Sequence, residues 1–133
     1  MISLLFFSRS RLRMPGDERE IDSIVTRARA RNAAVGVTGA LVFTFKHFAQ
    51  ILEGQREQID MILARMQTDP RHEAMRVVDV RDCTTRHFDG FSLAYCGPSL
   101  YVERHIKPLI EGAEDPLAVD RLRLLLCELA RTA

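Results

Sequence analysis

The chain has 133 residues, with 19 Lys and Arg against 18 Asp and Glu and a formal net charge of +1. That length suits one compact domain burying roughly two-thirds of its unfolded surface, and the charge balance gives no support to a nucleic-acid-binding surface. Cys83, Cys96 and Cys127 lack CxxC spacing and read as reduced thiols, the four histidines show no ligand spacing, and no apolar stretch reaches membrane-spanning length. A cytoplasmic protein with no metal site and no signal peptide is expected.

Residues 2–8 are a continuous apolar run, the pattern of a strand buried on both faces. Arg9, Arg11 and Arg13 follow beside Pro15-Gly16, as a solvated loop or as a contact for phosphate or an acidic partner. Asp17 and Glu20 have capping-box spacing. Ile21, Ile24, Val25 and Ala28 then recur at helical spacing, predicting a helix that ends near Asn32. Residues 37–43 and 48–52 are β-rich runs, and Thr44-Phe-Lys-His47 between them reads as a hairpin turn. Ile59, Ile62, Leu63 and Met66 mark a second amphipathic helix. It should stop at Asp69-Pro70, because the residue before proline disfavours helix.

Val77, Val78 and Val80 mark a fourth strand, and residues 88–95 a fifth. The order βαββαββ predicts an α+β fold, a ferredoxin-like sheet with two helices on one face and two further C-terminal helices. In the tail, residues 100–106 form a short helical segment that Pro108 limits, and Asp115-Pro116 supplies an N-cap and first-turn pair. The leucine-rich helix that follows should pack on the open face of the sheet or at a subunit interface. Residues 1–97 are expected to form the main domain and 98–133 a helical extension.

Asn32 and Gln50 are amides set in apolar surroundings. A buried amide without partners costs about 1–3 kcal/mol, so something should hydrogen-bond both. A flat heterocycle with donors and acceptors along one edge is a good candidate. Ile24, Ala28 and Asn32 at i, i+4 and i+8 give an apolar wall with a polar end, which suits such a guest. Read alone, Ile24 and Met66 are ordinary core. Asn32 alone is a helix C-cap, and Gln50 alone is a strand side chain satisfied by backbone.

Four segments then stand in a recognisable order: Asn32-Ala-Ala-Val-Gly-Val-Thr-Gly39, Phe48-Ala-Gln50-Ile-Leu-Glu-Gly54, Asp69-Pro-Arg71-His72 and Arg86-His-Phe88-Asp-Gly90-Phe91. With them, residues 2–95 resemble the BLUF family of flavin-binding blue-light sensors. The C-terminal helices resemble those of short members with no attached output domain. The resemblance implies FAD, with its ring held between the two long helices. Asn32 would bond the pyrimidine edge, with Arg31 at a neighbouring contact position. Gln50 would reach the flavin O4/N5 edge as the switching amide, and Ile24 and Met66 would pack on opposite faces of the ring. Arg65 and Asp69 would form a polar pair at the mouth, helped by Arg71 or His72. The resemblance further implies a signalling protein rather than an enzyme, a homo-oligomer, and an unidentified downstream protein partner.

Three positions depart from the family. The family's light reaction runs through a strand-one tyrosine two residues before a serine, and Phe6-Phe7-Ser8 puts Phe6 there. Phenylalanine has no phenolic proton to give. Phe91 and Leu93 stand where the family usually has Trp and Met. The pocket is therefore expected to persist with the photocycle lost or altered. Tyr95 shares a strand face with Phe91 and Leu93 by alternation and is the aromatic hydroxyl available to substitute.

Two other readings compete. One is a flavin-free oligomeric interaction module, its pocket filled by Met66 and the phenylalanines. The other is an acylphosphatase-like hydrolase using Arg and Asn, which the absence of a glycine-rich cradle or a nucleophile–base pair weakens.

Overall fold

The computed structural model describes residues 1–111 and 115–131. Its elements are β1 (Ile2–Ser10), α1 (Glu18–Ala34), β2 (Thr38–Phe43), β3 (His47–Gly54), α2 (Arg56–Met66), β4 (His72–Asp82), β5 (Ala94–Cys96), α3 (Leu100–Ile110) and α4 (Pro116–Arg131). One sheet runs β4-β1-β3-β2-β5. The first four strands pair antiparallel and β5 lies parallel to β2. This is the ferredoxin-like α+β arrangement with one strand added at the β2 edge.

Alternation along the strands feeds two apolar layers, so both faces of the sheet need cover. On one face Ile21, Val25 and Ala28 of α1 pack over Leu41, Phe43 and Phe48. Beside them Ile59 and Ile62 of α2 pack over Leu4, Phe6 and Leu52. On the other face Val102, Ile106 and Leu122 of the tail helices cover Leu5, Phe7, Ala49 and Ile51. The leucine-rich helix α4 packs with the sheet on this second face. Gly39 is required where β2 runs along β3, since a Cβ there would lie 2.1 Å from the Ile51 carbonyl oxygen.

Several expected boundaries move. α1 runs past Asn32 to Ala34 because Gly36, at φ +69°, takes the turn that Asn32 was expected to make. The Asp17–Glu20 capping box does not form: Asp17 turns back to the preceding loop, its carboxylate accepting from the Arg13 N–H at 2.7 Å. The fifth strand shrinks to three residues, since Phe88–Gly90 bends into a turn closed by Phe91 N–H to Phe88 O at 2.9 Å. Pro108 lies inside α3 and does not limit it. A proline removes one helical bond and crowds only the preceding turn, and burial of Ile106 and Leu109 carries the helix on. Of the predicted extension, residues 112–114 and 132–133 lie outside the described residues.

Candidate functional site

A slot opens between α1 and α2 above the sheet. Its floor is Ser8, Leu41, Phe48 and Gln50; α1 supplies Ile24, Ala28 and Arg31; Met66, Asp69, Arg71 and His72 close the other side. It holds about 490 Å³ of space with its mouth included, but only about 60 Å³ admits the centre of a water molecule. The shape is a narrow cleft with apolar walls.

The polar groups around it are unusual in one respect. Among the described residues, the buried side-chain atoms without a hydrogen-bond partner are Ser8 Oγ, Arg31 Nε and Nη2, Asn32 Oδ1 and Gln50 Nε2. Three of these four residues line the slot, and the fourth, Asn32, is the chain neighbour of Arg31. Each such atom costs about 1–3 kcal/mol, more where charged, unless a ligand supplies the partner. Unpaired buried groups scattered through a core would signal poor packing. Gathered at one cleft, they give its surroundings unused donors and acceptors.

Sheet register places the aromatic groups around the glutamine. Phe6 is the direct partner of Gln50 in the β1–β3 ladder, and Leu41 is its partner on the other side. Leu41 in turn faces Tyr95 across the β2–β5 pair. With strands about 4.8 Å apart, Tyr95 stands two strands and roughly 10 Å from Gln50. No hydrogen bond joins its phenol to Gln50 among the described residues. Burial raises the Tyr95 phenol above its ordinary pKa.

Ile24 and Met66 meet the slot from opposite helices, and Arg31, Gln50, Asp69 and His72 all line it. Asn32 and Arg65 do not. Asn32 is fully buried behind the wall, where its Nδ2 donates to the Ser92 carbonyl at 2.8 Å. Arg65 is exposed, and Asp69 takes a fork from Arg71, whose Nε and Nη2 reach it at 3.0 and 2.7 Å. Only Pro70 lies between Arg71 and Asp69 in a tight turn, which the Arg71 backbone N–H also closes. That fork holds the Asp69 carboxyl below the usual carboxylate range and raises Arg71. His72 Nε2 lies 2.6 Å from the Met66 carbonyl, tying β4 to the end of α2. Burial first, and then the charge of Arg65, pull the Arg31 guanidinium below its ordinary value.

The segment expected as a fifth strand contributes differently. Phe91 is 48% exposed, away from the slot, while Leu93 is buried beside α1. Sequence reasoning missed how this segment is fastened. Glu53, fully buried, accepts from Thr38 Oγ1 and from the backbone N–H groups of His87 and Phe88 at 2.7–3.0 Å. An acidic residue inside an apolar strand, three positions after Gln50, was the available signal. Among the described residues no cluster of His, Cys, Asp and Glu could hold a metal ion, and no helix is long and apolar enough to cross a membrane.

Known proteins share this arrangement. The family model described as "Sensors of blue-light using FAD" matches residues 1–94. The blue light- and temperature-regulated antirepressor BluF of Escherichia coli (strain K12) is 40% identical over 72 residues, covering 54% of this chain and 18% of that protein. Photoactivated adenylate cyclase subunit beta of Euglena gracilis is 35% identical over 66 residues, covering 50% of this chain and 8% of that one. The chain therefore spans less than a fifth of the length of these curated relatives. Among solved structures, the dark state of BlrB, described as a BLUF protein, superposes with a TM-score of 0.77 at 27% identity, covering 96% of each chain. The photo-activated state of BlsA gives a TM-score of 0.77 at 24% identity over 97% of this chain and 94% of the other, a likeness of fold.

Proposed function

The chain belongs to the BLUF family of blue-light sensors, and from that premise we propose that it holds FAD in the slot between α1 and α2 while lacking the family's ordinary photocycle. The observation that carries this reading is the Phe6–Gln50 register pair, with the Gln50 amide nitrogen unpartnered among the described residues. When bound, FAD supplies blue-light absorption and an electron acceptor. The chain's residues do the rest. Ile24 and Met66 would sandwich the ring, Arg31 would meet its pyrimidine edge with the unpartnered Asn32 Oδ1 next to it in the chain, and Gln50 would present its amide to the O4/N5 edge. Asp69 and His72 shape the mouth, where Arg65 stands as an outer charge.

Phe6 can neither donate a proton nor hydrogen-bond the amide. Gln50 is thus held from the flavin side alone, and no phenol stands within reach to start its rearrangement. The clustering of unpaired polar atoms favours a bound heterocycle over a flavin-free module, because an emptied, repacked pocket would have no reason to keep them. Output is proposed to pass to another protein, in line with the antirepressor name of the Escherichia coli relative.

Purified protein should be yellow, and blue light should leave its flavin band unmoved. Phe6→Tyr should then gain a small reversible red shift. A normal red shift in the unsubstituted protein would overturn the reading. Protein that stays colourless with added FAD would replace it with the flavin-free module.

A further inference from the structure

Resting on that flavin reading, Arg31 carries a second inference. Its Nε and Nη2 make up one side of the guanidinium, the two-donor fork that grips a pair of adjacent acceptors. Both atoms are buried and unpaired among the described residues, on a side chain that lines the slot. The other guanidinium there is already engaged, since Arg71 forks onto Asp69. Asp69 is thereby neutralised, and the stronger charge acting on Arg31 is the like charge of Arg65. Around them the wall is apolar, with Ile24, Ala28, Leu41, Phe48 and Met66. The slot therefore carries surplus positive charge in low-dielectric surroundings, with one complete fork unused.

We propose that Arg31 makes this a slot for an anionic ring: its fork takes two adjacent acceptors of the flavin and favours the reduced, negatively charged form over the neutral oxidised form. Oxidised flavin takes up two electrons and one proton to give a ring with a single negative charge, spread over the nitrogen and carbonyl oxygen of its pyrimidine edge. A fixed cation beside that edge lowers the energy of the charged form far more than that of the neutral one. The fork geometry matches the two atoms that share the charge. No member of the pocket other than Arg31 offers an unused cation to them among the described residues.

The test is a reductive titration of flavin-loaded protein with dithionite against a reference dye, for the unsubstituted chain, Arg31→Gln and Arg31→Lys. The preference for reduced over oxidised flavin should fall about tenfold in Arg31→Gln, a midpoint drop of about 30 mV for a two-electron couple. Arg31→Lys, which keeps the charge and loses the fork, should recover part of it. Equal midpoints for the unsubstituted chain and Arg31→Gln would overturn the proposal. A parallel arm uses riboflavin, which has no phosphate. If Arg31→Gln weakens FMN and FAD but not riboflavin, at constant midpoint, the fork belongs to a phosphate and the proposal falls. Protein that takes up no flavin in either redox state overturns this and the preceding reading together, whereas bound flavin with an unmoved midpoint overturns this one alone.

Discussion

A polar atom buried without a partner is a cost to folding that a ligand can offset, so single residues around the slot should trade stability against binding. Arg31 is the clearest case. Replacing it with Met keeps the apolar stem that packs on α1's neighbours and removes an unpaired charge. Flavin-free Arg31→Met should therefore melt a few degrees higher, corresponding to about 1 kcal/mol; a lower melting temperature would mean that Arg31 already has a compensating partner. Asp69 works in the opposite sense. Its carboxyl is held below the unfolded value of about 3.9 by Arg71, so its contribution is present above that pH and is lost as pH falls through the lower folded value. Below about pH 4 the unsubstituted protein should lose stability more steeply than Asp69→Asn, and superimposable acid limbs would remove Asp69 from the account. Gln50 and Asn32 were legible in the sequence because an amide in an apolar run is conspicuous. Arg31 was legible only through its neighbour, since one arginine among several on a helix carries no mark of being unpaired. Asp69's partner stayed open in the sequence, because spacing offers both Arg65 and Arg71.

Elements are joined by a fastening that periodicity does not reveal. The turn over residues 86–92 is held to the sheet by Glu53 and to α1 by Asn32. Arg86 adds bonds to Thr38, the Glu53 carbonyl and Gly36 at 2.8–2.9 Å. The apolar residues here had suggested a long fifth strand, yet Gly90 at φ +85° and the Glu53 acceptors bend the chain instead. Backbone capture by a side chain 34 and 35 residues away is a tertiary effect, and local pattern cannot carry it. Glu53→Ala would take the acceptor from the buried Phe88 N–H, from the His87 N–H and from the Thr38 hydroxyl. Urea unfolding should show a loss of about 3 kcal/mol, with faster amide exchange at His87 and Phe88 than elsewhere in the sheet. Unchanged exchange at those two amides would mean that the turn holds without Glu53.

At the scale of the molecule, one sheet serves two purposes. Phe6 and Gln50 look toward α1 and α2, while their chain neighbours Leu5, Phe7, Ala49 and Ile51 look toward α3 and α4. Element order in the sequence was enough to predict the ferredoxin-like topology. Where α4 lands was left open, because a wide leucine arc shows that a helix needs cover without showing what covers it. Since the strands are shared, loosening one face should loosen the other. Leu122 is fully buried against the second face, and Leu122→Ala should cost about 2–5 kcal/mol. That loss should appear equally in amide exchange of α4 and of β3, including the Gln50 amide beneath the slot, because contacts in one cooperative unit open together. The alternative is a tail that opens alone, with α4 exchanging faster while β3 keeps its protection. In that case residues 98–133 would be a detachable cover, and a signal from the slot could reach the surface without passing through the sheet's second face.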